Sequence, residues 1–309
     1  CLRSKSVTLE HVYHLKFYEK FDRDDVFHVH FATAISPLLN LIRIGFLKSK
    51  VIVTFHGYDA YILPKGNKLE RLIDDYRKYV HAITVNSQFL KNRLVSQGFD
   101  KVKIHVIPVG IDCSKFIQKG NSRALNENFK LLSIGRLIPL KGHRFGIEVA
   151  KKLIDRGHDI QYTIAGYGEL LKPLEELIAD YKLEGKVFLI GKQSQEKIAA
   201  LLQASDIFLM TSTYNRVNRR EAFGMVSLEA QVAGVPVVGF NSGGFPETVI
   251  EDVTGFIVDD RDVDAMVLAV EKLLLNNDLL ESMRKNATQH IIDTFDINSV
   301  AEAYFGLYQ

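Results

Sequence analysis

The sequence is poor in cysteine and has no long hydrophobic run. Its 309 residues contain two cysteines, Cys1 and Cys113, which cannot build the disulfide framework of a small secreted protein, so we expect a reducing, cytoplasmic compartment. The longest apolar stretch, residues 31–47, is short for a membrane span and is interrupted by a proline, an asparagine and an arginine, which favours a buried helix. No secretory signal is visible, but the chain begins with cysteine rather than methionine, so we expect residues to precede it.

The chain carries little net charge, but that charge is unevenly distributed. The formal net charge is +2; residues 1–115 contain 18 Lys and Arg against 11 Asp and Glu, whereas the remainder contains 21 against 26. The basic half fits an anionic partner or an anionic membrane surface, and it fits ordinary surface solvation equally well. The composition, 47% hydrophobic and 25% charged, is that of a soluble globular protein, and the length suits two domains.

Motifs of metal and dinucleotide proteins are incomplete. Residues 22–24 (DRD) lie in a charged connection between a predicted helix and a predicted strand, so we interpret them as a solvated turn. His28 and His30 alternate on one face of a strand, but no third ligand follows at a suitable spacing, and we interpret them as structural or pocket-lining. The stretch 166–168 (GYG) follows a strand, but Leu171 occupies the position of the third glycine of a dinucleotide motif. The sequence therefore predicts neither a metal nor a nicotinamide cofactor.

Strands and helices alternate in both halves of the chain. In the first half we predict strands at 24–32, 50–57, 81–86 and 103–110, and helices at 6–21, 36–48, 67–79 and 87–98. Apolar strands alternating with amphipathic helices are typical of a parallel sheet covered by helices. Because a doubly wound domain usually has five or six strands, we expect about one further β-α-β unit before the first residue. The polar residues 117–129 predict a linker, after which a second α/β series begins.

Two loops place polar groups where α/β proteins bind ligands, at the carboxyl ends of strands. His56 directly follows the strand VIVTF, beside Gly57, which allows the backbone to approach a ligand closely. In the second half Gly135 permits a turn after a strand. Arg136 and Lys141 then can reach one anion, the arginine as a bidentate fork and the lysine as a point charge. Taken singly, these residues also fit a structural histidine and a solvated loop.

Residues 221–236 (EAFGMVSLEAQVAGVP) hold two glutamates, Glu221 and Glu229, in a loop and a helix. We predict a helix over 227–233 that Gly234 ends, with Glu221 in the preceding loop and Glu229 on the inner face. Three backbone N–H groups lie between them, those of Gly224, Met225 and Val226. Free donors and the positive end of the helix dipole make such a helix start an anion site. On spacing alone, a pair of solvated surface acids explains the glutamates as well.

The segment 211–249 (TSTYNRVNRREAFGMVSLEAQVAGVPVVGFNSGGFPETV) resembles the E-x7-E signature of the retaining GT-B glycosyltransferases of the family-four group. Further matches occur in the family's order: VTFHGYDAY at 53–61, GRLIPLKGH at 135–143 and the glycine pair at 166–168. The stretches HFATAISPLL and TFHGYDAY are similar to transferases that build bacterial exopolysaccharide, capsule or O-antigen. The resemblance covers nearly the whole chain.

The resemblance implies two doubly wound, Rossmann-like α/β domains of GT-B type that face each other across a cleft. The implied limits are an acceptor-side domain at 1–118, a nucleotide-sugar domain at 119–295 and a final helix at 296–309 that crosses back. The implied catalytic residues are His56, close to the transferred sugar, and Glu221. The implied donor-binding residues are Arg136, Lys141, Gly224, Met225, Val226, Glu229, Gly166 and Lys192.

The resemblance also implies the substrates. The donor is a UDP-, GDP- or ADP-linked sugar, the acceptor is a glycan or a polyprenyl-linked intermediate, and neither a metal nor a nucleic acid takes part. Peripheral contact with the anionic inner face of the plasma membrane is expected. The glycine-rich loop that the family carries near its N-terminus is not found in this sequence, so the alternatives of a GT-B sugar-nucleotide epimerase and of a non-catalytic sugar-nucleotide-binding protein stay open.

Overall fold

The computed structural model describes residues 15–19, 26–117, 128–215 and 218–309. These residues form two compact units, one that comprises the described residues up to Ile107 with Tyr308–Gln309, and one that comprises those from Pro108 to Leu307. The turn predicted at 22–24, nearly all of the linker predicted at 117–129 and most of the helix predicted at 6–21 lie outside the described residues. Among the described residues, no helix is long and apolar enough to cross a membrane.

The first unit is a parallel sheet with helices between its strands. Its strands are β1 (Val26–His30), β2 (Lys50–Phe55), β3 (Ala82–Val85) and β4 (Ile104–Val106), hydrogen-bonded in that order. Its helices are α1 (Ser36–Arg43), α2 (Asn67–Tyr79) and α3 (Gln88–Ser96). All of β3 and five residues of β2 are buried, as a parallel sheet requires. The prediction of four strands is confirmed for the described residues.

Local signals explain where the helices of the first unit begin and end. The Ser87 hydroxyl accepts a hydrogen bond from the backbone N–H of Leu90 and so caps α3. Gly98, at φ 100°, follows that helix in a conformation that disfavours other residues. Helix α1 is shorter than predicted, because Gly45 adopts φ 74° and the chain leaves the helix there.

The second unit is a six-stranded parallel sheet with helices on both faces. Its strands are β5 (Phe129–Ile134), β6 (Ile160–Ala165), β7 (Val187–Leu189), β8 (Ile207–Met210), β9 (Val237–Phe240) and β10 (Gly255–Val258). Its helices are α4 (His143–Asp155), α5 (Leu171–Asp180), α6 (Gln195–Ala204), α7 (Met225–Val232), α8 (Val263–Leu274), α9 (Asn277–Phe295) and α10 (Ile297–Tyr308), the last residue of which belongs to the first unit. One core contains residues of α4, α5 and α8, and the other contains residues of α6 and α7. The predicted class, two parallel-sheet α/β domains, is confirmed.

The strand order of the second unit fixes where its loops converge. The order is β10-β9-β8-β5-β6-β7. After β5 the chain adds β6 and β7 on one side of that strand. It then crosses to the other side of β5 and adds β8, β9 and β10. The direction of winding reverses between β5 and β8, which pair through Leu131 with Ile207 and Leu132 with Phe208. In such sheets the loops that follow the two central strands part at this switch point and leave a crevice for a ligand.

The two units divide at a different residue from the predicted domain limit at 118. The segment that follows Ile107 packs into the second unit, since Ile111, Cys113 and Phe116 belong to its core. Ile111 also exchanges backbone hydrogen bonds with Phe295 and Ile297. The break between the units therefore lies before this segment, which the implied limits place in the first domain.

Removal of Arg284 is expected to destabilise the second unit strongly. The guanidinium donates to the Asp206 carboxylate at 2.8 Å, and both side chains are buried. Asp206 also accepts from the backbone N–H of Lys130, so its charge stays in place when the arginine is lost. Breaking a buried ion pair costs about 3 kcal/mol or more, and we expect a loss of this size for Arg284→Met in urea unfolding. Lys186→Met, which breaks the exposed pair with Asp159, is the control and is expected to cost under ~0.5 kcal/mol; equal losses would contradict the prediction.

Candidate functional site

The loops after β5 and β8 are joined by backbone and side-chain hydrogen bonds. After β5 the chain makes a turn at Gly135 and a short 3-10 helix, Pro139–Lys141, before α4 begins. The Thr211 hydroxyl donates to the carbonyl of Lys141 at 2.8 Å, and the backbone N–H of Thr213 donates to the carbonyl of Leu140 at 2.9 Å. The two loops at the switch point of the sheet are thus held as one body.

An ion pair lies at the centre of this body. The Lys141 ammonium donates to Oε2 of Glu221 at 2.5 Å, and the Ser212 hydroxyl donates to the same oxygen at 3.1 Å. The side chains of Lys141 and Glu221 are 17% and 15% exposed, so the pair is largely shielded from water. The lysine and the glutamate are therefore direct partners, a contact that the sequence did not predict.

The environment of Glu221 keeps its carboxylate ionised. Burial by itself raises the pKa of this carboxyl group. The charge of Lys141 and the hydrogen bonds from Lys141, Ser212 and the backbone of Ala222 lower it, and the resulting pKa lies below the ordinary value. Glu221 thus remains an anion throughout the physiological pH range.

Close backbone contacts fix the two loops that carry these charges. A Cβ atom at Gly243 would lie 1.9 Å from the carbonyl oxygen of Glu221, and the backbone N–H of Gly244 donates to that oxygen. A Cβ at Gly166 would lie 1.8 Å from the carbonyl oxygen of Gly135. Only glycine fits at these contacts, so the glycine at 166, predicted to bind a ligand, packs the loop after β6 against the loop after β5.

The start of α7 presents unpaired backbone donors beside the ion pair. Glu221 lies in the loop before this helix, as predicted, and Gly224 precedes the helix at φ 94° without any side-chain cap. Among the described residues, the N–H groups of Gly224, Met225 and Val226 donate no hydrogen bond. Such donors and the helix dipole favour an anion at this place.

Glu229 differs from Glu221 in its surroundings. Its side chain lies on α7, is half-buried, and makes no hydrogen bond or ion pair in the described part of the chain. Burial raises the pKa of this carboxyl group to about 7. A buried carboxylate without a partner is costly, so Glu229 gains most from a ligand that donates hydrogen bonds to it.

The remaining predicted residues of the second unit lie at its surface. Arg136 is exposed and makes no ion pair with any described residue. Lys192 is exposed and its ammonium lies 5.8 Å from the centre of the Tyr167 ring. The backbone N–H of Gly166 donates to the carbonyl of Gly191, beside Lys192, so the loops after β6 and β7 are connected. The structure does not bring Arg136 into contact with the ion pair of Lys141.

In the first unit a buried aspartate organises the loop of His56. The Asp59 carboxylate accepts hydrogen bonds from the backbone N–H groups of Ala32, His56, Gly57 and Ala60. The first of these donors follows β1 and the others follow β2, so one carboxylate fixes the loops after both strands. His56 lies at the carboxyl end of β2, as predicted, with its imidazole half-buried.

Three histidines form a cluster at the ends of β1 and β2. Nδ1 of His30 lies 3.0 Å from Nε2 of His56, and the rings of His28 and His30 stack with their centres 4.4 Å apart. His28 also contacts the hydroxyls of Thr54 and Tyr308. Among the described residues, no group of three or more metal-ligating side chains has the arrangement of a metal site.

Sequence reasoning missed two of the residues that hold these loops. Asp59 is the acid of TFHGYD, three residues after His56, a spacing that suits a carboxylate that accepts hydrogen bonds from the turn's own backbone. That signal was available in the sequence. Ser212 offers no comparable signal, because its contact with Glu221 depends on how the loop after β8 folds back.

Family models cover nearly the whole chain. The model for glycosyl transferases group 1 matches residues 114–290, and the model for glycosyltransferase family 4 matches residues 4–115. The chain is 32% identical over 252 residues to the amylovoran biosynthesis glycosyltransferase AmsK of Erwinia amylovora, covering 81% of this chain and 61% of that protein. It is 27% identical over 289 residues to the putative colanic acid biosynthesis glycosyltransferase WcaL of Salmonella typhimurium, covering 92% and 70%. The chain thus spans between three fifths and seven tenths of the length of these relatives.

Solved structures share the fold. A glycosyltransferase from Rickettsia africae superposes with a TM-score of 0.81 at 22% identity, covering 99% of this chain and 83% of that one. Anabaena HepE in complex with UDP and glucose superposes with a TM-score of 0.78 at 19% identity, covering 95% and 80%.

Gly243→Ala is expected to destabilise the second unit more than the same change at Gly157. Both glycines have positive φ, 67° and 90°, so alanine costs roughly 1–2 kcal/mol in backbone strain at either position. At Gly157 a Cβ meets no atom within 4 Å, whereas at Gly243 it meets the backbone of Glu221, which adds about 1–3 kcal/mol. Urea unfolding of both variants measures the difference, and equal losses would show that the contact with Glu221 does not constrain the loop.

Proposed function

The chain belongs to the glycosyl transferases of group 1, and we propose that it transfers a sugar from a nucleotide-diphosphate donor to an acceptor with retention of the anomeric configuration. The observation that carries the proposal is the anion site at the switch point of the second unit. There the Lys141 ammonium pairs with an ionised Glu221, and the unpaired N–H groups at the start of α7 begin three residues after this glutamate. This combination suits a diphosphate joined to a sugar.

Negative charge on the departing diphosphate is the chemical problem of such a transfer. Preorganised donors lower the barrier when they face the atoms on which charge develops. In our proposal the diphosphate binds to Lys141, to the exposed guanidinium of Arg136 and to the N–H groups of Met225 and Val226. These groups supply positive charge from the chain itself, and we propose a reaction that needs no metal ion.

The pairing of Lys141 with Glu221 assigns complementary roles to the two charges. The Lys141 ammonium has three donors, so it can hold the Glu221 carboxylate and a phosphate oxygen at once. Glu221, kept ionised by the same lysine, then offers an anion next to the diphosphate. We propose that it holds hydroxyls of the donor sugar and stabilises positive charge at the anomeric centre.

Glu229 fits the ribose of the donor. Its carboxylate is half-buried and has no partner among the described residues, whereas a ribose offers two neighbouring hydroxyl donors. We propose that the loops at Gly166 and Lys192 lie near the base. In the first unit we propose that His56 contacts a hydroxyl of a substrate.

The relatives support a role in bacterial surface polysaccharide synthesis. Two of them are named for amylovoran and colanic acid biosynthesis, and a structural relative was solved with UDP and glucose. We propose a glycan or polyprenyl-linked acceptor and a cytoplasmic protein that contacts the inner face of the plasma membrane, for which the excess of Lys and Arg in residues 1–115 is the supporting observation. An epimerase or a non-catalytic binder would share the donor site, and donor consumption with transfer distinguishes a transferase from both.

Thermal unfolding with a panel of UDP-, GDP- and ADP-sugars is expected to identify the donor. A ligand that binds the folded state raises its melting temperature by mass action. We expect one nucleotide to stabilise the wild type and to lose its effect in Lys141→Ala. Lys172→Ala, which removes an exposed lysine of α5, is the control and should respond like the wild type. If the same donor at the same concentration stabilises the Lys141 variant equally, the diphosphate does not bind at Lys141.

Glu221→Ala and Lys141→Ala are each expected to lower turnover of that donor by at least ~100-fold, the usual scale for loss of a preorganised charge. Coupled nucleotide-release assays measure the rate. Each variant is compared at equal folded fraction, because either change leaves a buried charge without its partner. Rates near that of the wild type in both variants would contradict the transferase proposal.

Donor affinity is expected to increase with pH through the titration of Glu229. The raised pKa, about 7, means that the free protein holds a proton on this carboxyl group below pH 7. Ribose hydroxyls bind the ionised form, so binding releases the proton and weakens as the pH falls. We expect at least ~10-fold weaker binding at pH 5.5 than at pH 8, measured by calorimetry with a nucleotide sugar, whose diphosphate does not titrate in this range. The profile should flatten in Glu229→Gln, and an unchanged profile in this variant would contradict the role.

A further inference from the structure

The imidazoles of His30 and His56 are joined edge to edge in the first unit. Nδ1 of His30 lies 3.0 Å from Nε2 of His56, a hydrogen-bond distance. The Phe31 ring lies against His56 on another side, with centres 4.4 Å apart. His56 is thus held both at one edge of its ring and against one face.

The backbone that positions these rings is strained and tightly bonded. Phe31 has φ 71° and ψ 118°, a conformation that is strained for a non-glycine residue, and its aromatic ring is 50% exposed. Its N–H donates to the carbonyl of Thr54, and the next N–H, of Ala32, donates to Asp59. A strained backbone that exposes a large apolar ring gains nothing for stability, which points to a functional reason for the arrangement.

A hydrogen bond between two neutral imidazoles fixes the tautomer of both rings. One proton lies between the two nitrogens, so either His56 donates from Nε2 or His30 donates from Nδ1. The first arrangement leaves both rings protonated at Nε2, which is the intrinsically preferred tautomer of imidazole side chains. The second needs both rings in the less favourable Nδ1–H form. The pair therefore favours donation from His56 to His30.

Donation to His30 leaves Nδ1 of His56 without a proton. This nitrogen makes no hydrogen bond with any described residue, and it is not among the buried polar atoms that lack a partner, so it faces accessible space. The surroundings of His56 favour its neutral state: burial, and then His30, lower the pKa of His56, although Asp59 opposes this change. Burial also lowers the pKa of the neighbouring His28 to about 4.

We propose that His30 is a positioning residue that holds His56 as its Nε2–H tautomer and so presents Nδ1 of His56 as a hydrogen-bond acceptor for a substrate hydroxyl. The ligand part rests on the proposed function, in which His56 contacts a hydroxyl of a substrate. The pairing part rests only on the geometry of the first unit. His28 does not compete for His56, because its own ring nitrogens contact Thr54 and Tyr308.

Nitrogen NMR of the full chain labelled at histidine tests the pairing without any ligand. Long-range spectra at pH 7.5 distinguish a protonated from an unprotonated ring nitrogen, and His56→Gln assigns the signals of His56. We expect His56 to carry its proton on Nε2 alone in the wild type. In His30→Leu, which removes the acceptor, we expect averaging between the two tautomers. His30→Asn places an amide oxygen where Nδ1 was and should restore the wild-type pattern.

A matched control separates the pair from a general effect of histidine loss. His81 is an exposed histidine immediately before β3, outside this cluster, and His81→Leu should leave the His56 signals unchanged. An Nδ1–H tautomer of His56 in the wild type would overturn the proposal, and so would an unaltered His56 tautomer in His30→Leu.

Kinetics then test the ligand part. With the donor that the panel identifies, we expect His30→Leu to lower kcat/KM by about tenfold, the scale of one lost hydrogen bond in a positioned group. His30→Asn is expected to stay within about threefold of the wild type. A changed tautomer with unchanged kinetics would confirm the pairing and contradict the substrate contact. Absence of donor turnover in the wild type would contradict the proposed function but would not affect the NMR test of the pairing.

Discussion

The ion pair between Lys141 and Glu221 is the contact on which the candidate site depends. It joins the loop after β5 to the loop after β8 at the place where the winding of the sheet reverses. Because both side chains are largely buried, neither charge is tolerated without the other. Two further contacts hold the loops of the ion pair in place: the hydrogen bond from Thr211 to the Lys141 carbonyl and the close packing of Gly243 against the backbone of Glu221.

In the first unit a carboxylate also holds two loops together, but its partners are uncharged backbone N–H groups. Asp59 binds four backbone N–H groups from the loops after β1 and β2 and so fixes the approach of His30 to His56. A buried carboxylate that accepts several backbone hydrogen bonds is stable without a cation. In both units a carboxylate therefore organises the carboxyl ends of neighbouring strands, with an ammonium as its main partner in one case and backbone amides in the other.

The two glutamates of one short segment differ because of their surroundings. Glu221 has a cation and two further donors, which hold its pKa below the ordinary value. Glu229 has only a buried environment, which raises its pKa to about 7. Perturbed pKa values cluster at functional sites, where burial and charged partners tune each carboxyl group separately. The spacing of the glutamates alone does not distinguish them.

The sequence by itself determined the elements and the family. Strand and helix patterns and the loop position of Glu221 are local properties, since they depend on neighbours within a few residues, and the predicted helix over 67–79 agrees with the structure. The roles assigned to the site residues stay predictions. Only the tertiary structure decided which groups meet: Lys141 finds Glu221 80 residues away, and His30 finds His56 because β1 pairs with β2 in the register that sets His30 beside Thr54. Such pairs depend on strand order and register, which arise from packing of the whole sheet. Neither sequence segment by itself therefore indicates which residue its partner is.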